Sequence, residues 1–217
     1  MKKSAIQLTT VLLTLVLLMA VLIINGVKKD KSEPASPAVT PAGTAAPTVP
    51  RRQVGERYDR VIMIEGMEET VHYEHLRNEA LGFEMDYDYE SFRRDSNAER
   101  ERFVAAWDDP GNMEDYMDVT RSAEDAETVA AAITEELSKD FELTRVTREL
   151  ERAGSCIRIE ASVIKGTNQM TDQLQAFYII PAPDGCRIAA THAFITESEG
   201  FFRRFDAMLN TLSVIDG

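Results

Sequence analysis

Between Ala5 and Gly26 the chain carries no charged residue and is dominated by Leu, Val and Ile. A helix of that length reaches roughly 33 Å, enough to cross a bilayer core. A secretory leader has a shorter apolar region, on the order of 7–15 residues, closed by a small-x-small cleavage site. Here the run ends Leu22-Ile23-Ile24-Asn25-Gly26 without such a site. The first cysteine is Cys156, so no lipid-modified cysteine follows the run either. The expectation is a retained transmembrane anchor over residues 5–27, behind a cytoplasmic flank of residues 1–4; a cleaved signal peptide is the alternative. Lys2 and Lys3 precede the run and Lys28, Lys29 and Lys31 follow it, so the positive-inside rule does not choose an orientation. A very short amino-terminal flank is the habit of signal anchors, which send the rest of the chain out of the cytoplasm.

Residues 28–57 form a second zone. "SEPASPAVTPAGTAAPTVP" offers almost no bulky apolar side chain to bury, so it reads as a disordered, extended spacer between membrane and domain. Residues 58–217 suit one domain with a single core. The formal net charge of the chain is −13, and the acidic excess lies in this last zone. A field of that sign repels nucleic acid and anionic lipid headgroups.

Periodicity sorts the domain into strands and two helices. In "GFEMDYDYE" Phe83, Met85, Tyr87 and Tyr89 alternate with Glu84, Asp86, Asp88 and Glu90, as in a strand with one dry and one wet face. "DYMDVTR" is a second strand. It leads into "SAEDAETVAAAITEELSKDF", where Ser122 and Asp125 have capping-box spacing. There Ala126, Val129, Ala130, Ile133 and Leu137 form a one-sided stripe. "ELTRVTREL", "CIRIEASV", "LQAFYIIPA" and "CRIAATHAFI" read as strands, with Pro183-Asp184-Gly185 as the turn between the last two. "SEGFFRRFDAMLNTL" is an amphipathic helix burying Phe201, Phe205, Met208 and Leu212, and "NAERERFVAAW" is taken as a short helix. The expected architecture is α+β: an antiparallel sheet flanked by helices in an α/β/α sandwich.

"LGFEMDYDYESF", "MDVTRSAEDAETVAAAITEEL" and "FYIIPAPDGCRIAATHAFITESEGFFRRFDAMLNTLSV" together resemble the PsbP-like fold, over roughly residues 68–217. That family takes its name from an extrinsic photosystem II subunit, and related domains occur in bacterial membrane-anchored proteins. The resemblance implies an antiparallel sheet with flanking helices in a non-catalytic binding or accessory role. It supplies no ligand residues.

Chemistry-bearing residues do not converge on a known motif. His72 and His75 stand three apart on a strand, facing opposite ways, and read as surface histidines rather than a metal pair. Asp86, Asp88 and Glu90 open like a calcium loop, but Ser91 stands where Gly is needed and Asn97 where a bidentate Glu belongs. His192 shares a face with Ile188, Ala190 and Phe194 and reads as a partly buried structural histidine, since Cys186 lies too far along the strand for a dyad. Export favours a Cys156–Cys186 disulfide, whereas an intervening strand and opposite parity oppose it; both states stay open. No phosphate loop, nucleophile elbow, CxxC or HExxH is present. No catalytic, cofactor-binding or metal residue is therefore assigned, and no cofactor is expected. The sequence reads as a membrane-anchored extracytoplasmic, non-catalytic binding or accessory domain. It meets the lipid bilayer through residues 5–27, a protein or small-molecule ligand through its domain, and no nucleic acid. The alternatives are an envelope hydrolase with unassigned carboxylates and a cytoplasm-facing tethered interaction domain.

Overall fold

A computed structural model describes residues 52–106, 115–167, 169–194 and 199–215. The expected anchor, and the expected spacer as far as Arg51, lie outside them. Among the described residues no helix is long and apolar enough to cross a membrane. The compact unit containing them runs from Arg52 to Gly217.

Its first strands are β1 (Arg57–Ile64), β2 (Met67–Asn78) and β3 (Phe83–Asp88), followed by β4 (Phe92–Ser96), β5 (Glu101–Ala105) and β6 (Tyr116–Ser122). Helix α1 (Ala126–Leu137) leads to β7 (Phe141–Leu150), β8 (Gly154–Ile164), β9 (Met170–Ala182) and β10 (Gly185–Phe194). Helix α2 (Glu199–Leu209) and the short β11 (Ser213–Val214) follow. Where one sheet is expected from sequence, the strands divide into two. One is ordered β1-β2-β3-β11 and the other β4-β5-β6-β10-β9-β8-β7, all antiparallel. The division follows from β11, whose register with Phe83 and Glu84 closes the first three strands with residues more than a hundred positions away.

Helix α1 packs on β7, β8 and β9, and buries the five stripe residues read from its periodicity. Its cap is Asp125 rather than Ser122. The Asp125 carboxylate accepts from the Thr128 backbone at 2.9 Å and from the Thr128 hydroxyl at 2.7 Å. Ser122 still belongs to β6, and its hydroxyl accepts from Glu124 N. Helix α2 packs on β1, β3 and β10, with Phe201, Phe205, Met208 and the following Leu212 in the core. Phe92 closes over it, its ring 5.3 Å from Phe201 and 5.0 Å from Phe205.

"NAERERFVAAW" is not helical over its described part. It supplies the turn and second strand of the β4–β5 hairpin, where the Asn97 side chain accepts from the backbones of Glu99 and Arg100. The Pro183-Asp184 loop is as read. Gly185 has φ +125, and a Cβ there would lie 2.1 Å from the Ser122 carbonyl.

Candidate functional site

The alternation through β3 is correct in direction, but the face taken as wet is closed. Phe83, Met85 and Tyr87 enter the core, while Asp86 and Asp88 on the other face are 0% and 2% exposed. β3 stops at Asp88 because that carboxylate turns the chain, accepting from Glu90 N at 3.3 Å and Ser91 N at 3.1 Å.

A carboxylate without water must be matched by donors. Asp86 is matched from four directions. His75 Nδ1, on the paired strand, lies 2.7 Å from Oδ1. Tyr58 donates its hydroxyl to Oδ2 at 2.9 Å, Arg52 reaches the same oxygen at 3.3 Å and Arg152 at 3.5 Å. The Arg52 guanidinium also lies over the Tyr58 ring, 3.7 Å from its centroid. Burial, and then the neighbouring Asp86 charge, push the Tyr58 hydroxyl up to about 12. The backbone is held as well, with Asp86 N donating to Thr211 Oγ1 at 2.8 Å. Asp88 is held by Arg204 at 2.8 Å, which also binds Glu69. Tyr73 stacks on Tyr58 with centroids 5.6 Å apart, and its fully buried hydroxyl has no hydrogen-bond partner.

His75 is therefore not a surface histidine; it is 2% exposed on the closed face. His72 does face the other way, toward Asp59 at 2.8 Å, and that hydrogen bond raises its pKa. The calcium-loop residues do not converge: Asp86 and Asp88 serve arginines, Glu90 and Ser91 lie in the turn, and Asn97 holds the β4–β5 hairpin. Among the described residues no three His, Cys, Asp or Glu side chains are arranged to hold a metal ion. His192 is buried and its ring stacks on Tyr116 at 5.1 Å. Cys156 and Cys186 are free thiols, buried on β8 and β10 with β9 between them. Burial pushes both up to about 11.

An open concavity lies elsewhere among the described residues. A cleft of about 720 Å³ runs between the β1–β2 turn and α2, lined by Met63, Glu65, Gly66, Phe202 and Arg203. Met63 is 57% exposed, and Val61 and Met67 are similarly bare. Arg203, seen in the sequence only as an off-core helix residue, and Glu65 went unassigned there. They come from distant parts of the chain, and no local spacing joins them. Arg52, Tyr58, Arg152 and Thr211 escaped for the same reason.

These features define a mixed α+β domain with two antiparallel sheets. No family model matches the chain, and no curated protein matches it. A solved structure does: the solution structure of cyanobacterial PsbP (CyanoP) from Synechocystis sp. PCC 6803 is similar to it, with a TM-score of 0.45 and 12% identity, over 65% of this chain and 92% of that one. It is of the fold family whose pattern the sequence resembles. The likeness transfers no residue role.

Proposed function

We propose that this chain is a tethered extracytoplasmic module, held to the bilayer through residues 5–27, that binds a ligand and catalyses no reaction. The observation that supports it is the contrast between the two polar regions. The buried carboxylates Asp86 and Asp88 are consumed by internal partners, whereas the open cleft presents charges that no described residue answers. A hydrolase that works through a carboxylate pair needs both groups free to exchange protons with substrate. Arg52, Arg152 and Arg204 hold these two as fixed counter-charges, which favours binding over hydrolysis.

Thermal melting of the full-length chain in mild detergent tests the binding half, because a ligand selective for the folded state raises the midpoint by mass action. A concentration-dependent rise is expected with a small polar ligand and none with duplex DNA. Protease treatment of intact cells tests the topology. Digestion of the domain is expected, and its survival would assign it to the cytoplasm.

A further inference from the structure

β1 is the outer strand of the first sheet, with β2 on one side and no strand beyond it among the described residues. Its ladder leaves a definite set of backbone groups over. His75 N donates to the Glu56 carbonyl at 2.9 Å, so that cross-strand pair is hydrogen-bonded. Bonded and non-bonded pairs alternate along antiparallel strands. Arg57, Asp59, Val61 and Met63 therefore turn their N–H and C=O groups away from β2. His72, opposite Asp59, has the matching parity, since its carbonyl accepts from Tyr89 N on the β3 side at 3.1 Å. The same four residues of β1 are the exposed ones, while Tyr58, Ile62 and Ile64 pack inward.

Folded proteins guard open sheet edges with short strands, bulges or charge. The other edges of the two sheets are guarded in this way. β11 is two residues long, and β4 presents Arg93, Arg94, Asp95 and Ser96 to solvent. β7 shifts register between Glu142 and Leu143 and sets exposed Glu142, Arg145 and Glu149 about its bare Val146. β1 has none of these devices along its second half. It pairs with β2 without a register shift or a proline, and there it bears Val61 and Met63, 58% and 57% exposed. Such an edge is a template for another strand.

Register decides which strand fits. Two copies related by a two-fold axis pair antiparallel, so one residue of β1 opposes itself. Centred on Val61, the strands overlap across 58–64. Val61 meets Val61, Arg60 meets Ile62, Asp59 meets Met63 and Tyr58 meets Ile64, with no like charges opposite. One step toward the amino end sets Arg60 against itself, and one step the other way sets Asp59 against Glu65. In the Val61 register the outward N–H and C=O groups of each copy meet those of the other. The chain's own spacer fits less well, because Pro34, Pro37, Pro41, Pro47 and Pro50 remove the donors a ladder needs.

We propose that β1 is a dimerisation edge, through which two copies of this chain join their first sheets into one antiparallel sheet centred on Val61. This stands apart from the binding-module reading above, which a monomer would leave intact.

Cysteine cross-linking of the full-length chain in mild detergent tests it, since both native thiols are buried. Opposed Cα atoms in a hydrogen-bonded antiparallel pair lie about 5.5 Å apart, within the span of a disulfide. Val61→Cys is expected to form covalent dimers under an added oxidant. Asp59→Cys alone is expected to give none, its two copies lying about 14 Å apart, whereas a mixture of Asp59→Cys with Met63→Cys should cross-link. Sedimentation should show a dimer that Val61→Lys weakens on the order of tenfold by setting like charges opposite, with the monomer's melting midpoint unchanged. Equal cross-linking at Asp59 and Val61 overturns the proposal, because random collision then explains both. A chain monomeric at every concentration also overturns it. So does association that Val61→Lys leaves untouched, which would belong to residues 5–27. Slow hydrogen exchange at the Val61 amide of a monomer would give the edge to the spacer instead and sink the dimer.

Discussion

His75 Nδ1 and Asp86 Oδ1 lie 2.7 Å apart on paired strands, and both side chains are shut off from solvent. The pair is the centre of a polar set that joins the residues preceding β1, the β7–β8 turn and the segment after α2. Asp86→Asn keeps the shape and deletes the charge that Arg52 and Arg152 share. Breaking a buried pair costs about 3–5 kcal/mol, and the quarter exposure of each arginine brings the expected loss to about 2–3 kcal/mol. Urea unfolding measures it, and a loss under about 0.5 kcal/mol would remove Asp86 from its central place.

Two stacked tyrosines should respond oppositely to removal of a hydroxyl. Tyr58 donates to Asp86, so Tyr58→Phe is expected to cost about 1.5–3 kcal/mol, toward the lower end because the residue is only half-buried. The Tyr73 hydroxyl is buried without a partner, so Tyr73→Phe is expected to be neutral or stabilising by about 1 kcal/mol. Equilibrium unfolding of the two variants side by side checks the ordering, and a larger loss at Tyr73 than at Tyr58 refutes it.

Arg187, 1% exposed, lies against Gly82. Its Nε donates to the Gly82 carbonyl at 3.1 Å, its two Nη atoms meet Asp184 at 2.8 and 3.1 Å, and a Cβ on Gly82 would lie 2.2 Å from Nη2. Gly82 also has φ +67. Gly82→Ala is expected to cost about 2–4 kcal/mol through strain and displacement of the guanidinium. Combining it with Arg187→Met should give less than the sum of the two single losses, since the second change removes the group the methyl strikes. Simple additivity in a double-mutant cycle would show the two sites to be independent.

The response to alkali follows from buried weak acids. Burial pushes Tyr58, Tyr116 and Tyr178 up to about 12 from 10.0, and Cys156 and Cys186 up to about 11 from 9.0. The unfolded chain therefore ionises first. The stability these groups contribute is complete below about pH 9 and declines as pH rises toward 12. Unfolding midpoints measured from pH 8 to 11.5 should fall steadily. A thiol reagent should label both cysteines only after denaturant is added, and rapid native labelling would contradict their burial.

How much of this was legible in the sequence depended on whether the signal was local. The α1 stripe at Ala126, Val129, Ala130, Ile133 and Leu137 is a single-element property, and every member is buried as read. The β3 alternation was equally local, but what covers its polar face is not. Arg152, Arg204 and Thr211 arrive from elsewhere in the chain, so Asp86, Asp88 and His75 read as solvated. Phe103, Val104 and Ala105 form an apolar run that periodicity alone assigns to neither element, and the Asn97 turn decides for a hairpin. The cleft needed residues from the β1–β2 turn and from α2 together, which no pattern within either segment announces.

β11 sets a schedule for synthesis. Asp86 and Thr211 are 125 positions apart, and Ile215 N donates to the Gly82 carbonyl, so the strand that completes the first sheet is made long after β3. While the ribosome is still delivering those residues, β3 presents an open edge with Phe83 and Glu84 unpaired. A nascent chain of this design leaves β3 waiting for a partner made more than a hundred residues later, and a chaperone that shields β3 meanwhile would guard it against aggregation.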